Sequence, residues 1–224
     1  MANDHLIMPY LDSCNIACGG HVGDRESMLR TIDLAVSQDV KIGAHPSFED
    51  KEGFGRKEVY VPLNQLKSQL IHQIASLNEL VKSKGLLLNH VKAHGALYNL
   101  SARYSKYAAL LIETMLFFKE PWFLYVPFGS VLEKMARKRG IEVKVEAFAD
   151  RQYTDDLKLV PRSEPDAVIT NIDKIKKQVY DMITKGEIRS NLGNRRQIRF
   201  DTLCVHGDHP DAVEIVKSIK ELKI

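Results

Sequence analysis

Several short segments of this sequence concentrate the residue types that move protons or hold charge. Cys18-Gly19-Gly20-His21-Val22-Gly23-Asp24 is a glycine-rich turn with His21 and Asp24 three residues apart. Glycines let backbone approach a ligand closely, and a His–Asp pair can shuttle a proton or bind a metal. The same residues equally fit a tight turn in which Asp24 caps the next helix. Gly43-Ala44-His45-Pro46 sets a histidine at a strand end, and Gly53-Phe54-Gly55-Arg56 follows shortly after. Arg56 could grip a carboxylate or phosphate in bidentate geometry, or simply lie in solvent. Lys92-Ala93-His94-Gly95-Ala96-Leu97-Tyr98 is the most pointed segment. Lys92 and His94 alternate in an extended run and so share a face, where a lysine can neutralise a developing oxyanion and a histidine can act as general base. His90 has the same parity but reads as an interior residue. Glu146, Asp150 and Arg151 gather at another strand end, with a surface ion pair as the plain alternative. His206-Gly207-Asp208-His209-Pro210 closes the set, and it too could be a turn in which Asp208 or Asp211 caps the last helix.

Positioning these residues requires strands that alternate with helices. The apolar runs predict strands at Asn15–Cys18, Lys41–Pro46, Leu86–Val91, Phe123–Val126, Val143–Ala147 and Thr202–Val205. Helical spacing predicts helices over Ser27–Ser37, with Met28, Ile32, Ala35 and Val36 on one face, and over Asn64–Lys84, with Leu66, Leu70, Ile74, Leu77 and Val81. Further helices are expected at Lys106–Phe118, Gly129–Arg139, Ile172–Lys185 and Asp211–Leu222. Alternation of this kind implies a parallel sheet, and short strands that are apolar throughout imply cover on both faces. A length of 224 residues suits one domain, residues 1–224. An irregular (β/α) barrel is favoured over a doubly wound sheet, because polar residues recur just after successive strands, where a barrel gathers them at one mouth.

Composition excludes several classes. The apolar fraction is 44%, the charged fraction 27% and the net charge +3, as in an ordinary folded chain. Basic residues are dispersed: Lys134–Arg139 and Lys174–Lys177 read as solvent faces of helices, and Arg195 and Arg196 as part of a Gly/Asn-rich turn. No nucleic-acid stripe is evident. Cys14, Cys18 and Cys204 are too few and too irregular for a disulfide scaffold and read as small core residues. With no signal sequence and no membrane-spanning run, the expectation is a reduced, cytoplasmic protein. GxxxxGK[ST], GxGxxG after a strand, GxSxG and HExxH are all missing, which argues against a self-contained nucleotidase, a dinucleotide dehydrogenase, an α/β-hydrolase and a zincin.

Taken in order, the segments resemble the motifs of the LamB/YcsF family. Asn15–Asp24 resembles NIACGFHAGD, with Gly20 in place of the aromatic residue. Lys41–Pro46 resembles KIGAHPG, Gly53–Arg56 resembles GFGRR, and His90–Asn99 resembles HVKPHGALYN, with Ala93 for proline. Glu146–Tyr153 resembles EVFADRAY, Leu159–Ser163 resembles LVPRS, and Cys204–Asp208 resembles CVHGD. The resemblance covers nearly the whole chain. It implies an α/β fold, a single irregular (β/α) barrel of the seven-stranded type. It also implies a part in an ATP-dependent 5-oxoprolinase, which opens the lactam of 5-oxo-L-proline to L-glutamate. ATP with magnesium would be co-substrate, subunits B and C the partners, and no cofactor would be tightly bound. Lys92, His94, His21, Asp24, Glu146 and Asp150 are the expected catalytic residues. His45, Arg56, Tyr98, Arg151, His206 and Asp208 are expected to bind substrate, and no metal ligand is assigned. The family's opening strand, DLNxDxGE, has no counterpart here, so a sheet lacking that strand is expected. Two alternatives stay open: a metal-dependent, deacetylase-like hydrolase using His21, Asp24 and His45 or His94, and a catalytically impaired binding subunit.

Overall fold

A computed structural model describes residues 3–222. The chain divides into two compact units, one formed by Asp12–Lys144 and the other by the described residues of Met1–Leu11 and Val145–Ile224.

The first unit is a parallel sheet wrapped in helices. Strands β1 (Ser13–Ala17), β2 (Lys41–His45), β3 (His90–Val91) and β4 (Phe123–Pro127) lie side by side in chain order, each parallel to the next. Parallel neighbours need crossovers, and helices supply them. In chain order, α1 (Asp4–Ile7) belongs to the other unit, and α2 (Arg25–Ser37) joins β1 to β2. Next, α3 (Leu63–Ser83) leads toward β3, α4 (Gly95–Arg103) and α5 (Ser105–Phe118) lead to β4, and α6 (Val131–Lys138) follows it. The predicted apolar stripe of α3 is fully buried at Leu66, Leu70, Ile74, Leu77 and Val81, and the helix packs on β2. On α2, Met28, Ile32 and Ala35 are buried, whereas Val36 is half exposed and lies outside the expected face. Along its other edge β1 has no strand partner among the described residues.

In the second unit, β5 (Val143–Phe148) pairs in parallel with β8 (Thr202–Cys204), in the register Glu146↔Thr202, Ala147↔Leu203 and Phe148↔Cys204. Between them come α7 (Ile172–Lys185) and an antiparallel hairpin of β6 (Glu187–Arg189) and β7 (Arg195–Gln197). The final helix, α8 (Ala212–Lys220), buries Ala212 and Val216 against Ile7 of α1.

These observations establish an α/β fold with parallel strands, and they correct details of the sequence reading. Only His90 and Val91 of the predicted strand 86–91 pair; Leu87 is 76% exposed. The turn assigned to Arg195 and Arg196 is a strand, in which Arg196 makes a 3.0 Å ion pair with Asp155. The α4 helix occupies a stretch for which the sequence reading names no element. Four parallel strands lie in one unit and two in the other, and no seventh is present among the described residues. Cys14 and Cys18 are buried as expected, and none of the three cysteines forms a disulfide. Among the described residues, no helix is long and apolar enough to cross a membrane.

Candidate functional site

The chemistry-bearing residues fall into two clusters, one in each unit. In the first unit three histidines from three different loops converge. His21 leaves β1, His45 ends β2, and His94 immediately precedes α4 as its N-cap. The His21 and His94 rings stack, 3.8 Å between centroids and 7° from parallel. His94 Nδ1 lies 3.0 Å from His45 Nε2. The outer nitrogens face backbone carbonyls: His45 Nδ1 is 2.7 Å from the Lys92 oxygen, and His94 Nε2 is 2.8 Å from the Phe54 oxygen.

His21 is held differently. Its Nδ1 is 2.9 Å from Ser47 Oγ, and the Ser47 hydroxyl donates to the Phe48 carbonyl at 2.8 Å. The serine proton is thus committed, so Ser47 accepts from His21 Nδ1–H. That tautomer leaves Nε2 with its lone pair, and Nε2 has no hydrogen-bond partner among the described residues. Burial, aided by the Arg56 charge, pushes the His21 pKa down to about 4, so the ring is neutral at physiological pH.

Glycines make the assembly possible at specific points. A Cβ on Gly20 would sit 2.5 Å from Gln73 Oε1 and 2.6 Å from Ser47 Oγ. Without one, Gln73 reaches in from α3 and clamps Ser47 from both sides, Oε1 accepting from its N–H at 3.0 Å and Nε2 donating to its carbonyl at 2.9 Å. Gly95, at φ +57, has space only because it has no side chain: a Cβ would meet the Gly55 oxygen at 2.3 Å. Sequence reasoning missed Ser47 and Gln73. A signal for Gln73 was present, since it is a buried polar residue interrupting the apolar face of α3 between Leu70 and Ile74.

Lys92 is buried, with Nζ 5.7 Å from the centre of the Tyr98 ring. Arg56 is exposed and lies over Phe54, 4.9 Å from its centroid. Asp24 stands apart as a helix cap: its Oδ1 accepts from Ser27 N–H at 2.7 Å, and its own N–H donates to Ser27 Oγ at 2.8 Å. A recess of about 440 Å³ on this unit is lined by Glu58, Tyr60, Lys106 and Tyr107, none of them a predicted site residue.

The second cluster centres on Asp150, fully buried at the end of β5. Its oxygens accept from His206 Nδ1 at 2.9 and 3.0 Å and from the His206 backbone N–H at 3.2 Å. Burial raises the Asp150 carboxyl, but the His206 hydrogen bonds and charge outweigh it and the net shift is downward. An ionised Asp150 fixes the proton on His206 Nδ1 and turns Nε2 into the basic nitrogen. His206 also stacks on Phe148, 5.3 Å between centroids. Glu146 is buried on β5. Arg151 is buried too, and it is bound to backbone, donating to the Ala167 and Val160 carbonyls at 3.0 and 2.5 Å. Asp208 is exposed.

The donor geometry does not favour the metal alternative. His45 and His94 point nitrogens at each other, Asp24 caps a helix, and no group of three or more His, Cys, Asp or Glu among the described residues is placed to hold an ion.

Comparison with known proteins gives consistent results. The LamB/YcsF family profile matches residues 1–223. The A subunit of 5-oxoprolinase from Pyrococcus furiosus is 41% identical over 217 residues, which span 97% of this chain and 85% of that protein. Its counterpart of the same name from Bordetella pertussis is 39% identical over 220 residues, 98% of this chain and 87% of that one. The crystal structure of a lactam utilization protein from Thermus thermophilus matches with a TM-score of 0.90 at 36% identity, covering 97% of this chain and 87% of that one.

Proposed function

This chain belongs to the LamB/YcsF family, and we propose that it acts as the A subunit of an ATP-dependent 5-oxoprolinase, opening the lactam of 5-oxo-L-proline to L-glutamate. The observation that carries this reading is His21: buried, neutral, fixed through Nδ1, and with a free basic Nε2. In this reading His21 Nε2 takes the proton from the attacking water as general base. The buried ammonium of Lys92 neutralises charge that develops on the carbonyl oxygen. An unstrained lactam is a poor electrophile, so phosphoryl transfer from ATP to its oxygen would activate the carbon for attack. The sequence has no phosphate-cradling loop of its own, which fits an ATP site completed with subunits B and C. In the other unit His206, with its tautomer set by Asp150, carries a second basic imidazole nitrogen. We place the enzyme in the cytoplasm, in keeping with three cysteines that form no disulfide.

The test is ATP-dependent glutamate release from 5-oxoproline with subunits B and C supplied. Release is expected with all three subunits, together with slow ATP hydrolysis by this chain alone. Fast ATP turnover by the isolated chain, or glutamate release that persists in a Lys92→Ala, His21→Ala double variant, would overturn the assignment.

A further inference from the structure

We infer that His45 and His94 share one extra proton, so that the pair is a buried monocation lying against His21. A count of hydrogens requires it. A carbonyl oxygen can only accept, so the Lys92 carbonyl at 2.7 Å requires a proton on His45 Nδ1, and the Phe54 carbonyl at 2.8 Å requires one on His94 Nε2. A neutral imidazole carries one N–H. With both outer nitrogens protonated, two neutral rings would turn bare lone pairs toward each other across 3.0 Å. One more proton between His45 Nε2 and His94 Nδ1 converts that repulsion into a charge-assisted hydrogen bond. Four nitrogens then hold three protons, and the pair has one positive charge. The same count shows why a second extra proton is excluded, since it would set two N–H groups head to head.

The surroundings bear on this from several sides. His21 stacks on His94, Lys92 and Arg56 supply positive charge nearby, and the buried thiol of Cys18 lies beside the backbone of His45. Burial and these charges pull each ring toward neutrality, taking His94 down to about 3. Against this stands the geometry of the pair: neutralising both rings leaves two lone pairs facing each other across 3.0 Å. The neutral His21 ring suits a cation beneath it, and that cation in turn keeps His21 Nε2 free of a proton. His45 is therefore a positioning residue. In the proposed reaction it acts through His94, helping to hold His21 in its basic form and adding positive potential beside that ring. This consequence rests on the proposed lactam reading; the proton count does not.

The experiment is NMR of the isolated full chain with 15N-labelled histidine at neutral pH, so it is independent of activity. The expected result is one proton signal far downfield of ordinary imidazole N–H, coupled to nitrogens of both rings. Two neutral rings without a shared proton would overturn the inference. His45→Gln supplies the second readout, because the glutamine amide can donate to His94 Nδ1 without an extra proton. In that variant the shared signal should vanish, and the His21 pKa should lie above its wild-type value, because burial and the Arg56 charge remain while the pair's charge is gone. An unchanged His21 titration would remove the proposed coupling. If the variant does not fold, the wild-type spectrum decides the proton count alone.

Discussion

At the scale of single residues, the chemistry depends on which nitrogen of each histidine is free. His21 and His206 reach the same state by different routes. One donates Nδ1–H to a serine whose own proton is committed, and the other donates to a buried carboxylate. Both are left with a basic Nε2. If His21 is the general base, it works only while unprotonated, and its lowered pKa means it stays so through mildly acidic conditions. The acid limb of kcat/KM for glutamate release should therefore fall as pH drops through about 4 rather than near 6.5. His21→Ala should lower kcat about 10²–10⁴-fold. A pH profile with its acid limb unchanged in that variant would assign the titration to another group.

At the scale of elements, two contacts decide whether the site is held in place. Asp24 belongs to the glycine-rich motif, yet its carboxylate closes a capping box on α2 with Ser27. Asp24→Ala should reduce stability by about 1 kcal/mol in urea unfolding, with glutamate release largely retained. A large loss of kcat in a stably folded variant would return Asp24 to the catalysts. The second contact crosses the sheet. Asn15, Gly43 and His90 are register partners on β1, β2 and β3. His90 leans over Gly43 so that its Nε2 comes within 3.0 Å of Asn15 Oδ1, and its other face stacks on Tyr125 at 3.8 Å. A Cβ on Gly43 would fall 2.0 Å from His90 Nε2. Gly43→Ala should therefore force the ring aside and destabilise the protein by roughly 1–3 kcal/mol or more. An unchanged Tm would show that the row is not under constraint.

For the whole molecule, the buried neutral histidines set a direction for acid stability. His21 and His90 are pushed by burial to about 4 and about 3. The unfolded chain takes up protons at these residues near 6.5, before the folded one does. Their stability contribution is thus fully present above pH 6.5 and is lost as pH falls toward the folded values. Tm measured from pH 7 to pH 4.5 should drop, and His90→Gln should flatten that slope even if it lowers Tm overall. The His45–His94 pair adds to the same fall, because below about pH 6.5 the unfolded chain takes up a second proton at these two residues that the folded pair excludes.

The sequence alone determined what local chemistry can determine. Alternating apolar runs located the parallel strands and most helices, because burial on both faces of a strand and one face of a helix leaves a periodic record; α7 was read to the residue. His21, His45, Lys92 and His94 were recognisable from their position after strands, and the family from the motifs in series. Elements without that record were missed: β6 and β7 are short and polar, and α4 begins directly after Lys92–His94, which reads as an extended run. The roles of side chains were decided only in three dimensions. Asp24 looks the same in sequence as cap or catalyst, and it is the Ser27 N–H within reach that makes it a cap. Ser47 and Gln73 lie 26 residues apart, and nothing local pairs them. The tautomer of each histidine depends on whether a carbonyl, a hydroxyl or another imidazole stands opposite, and those partners come from distant segments that only the fold brings together.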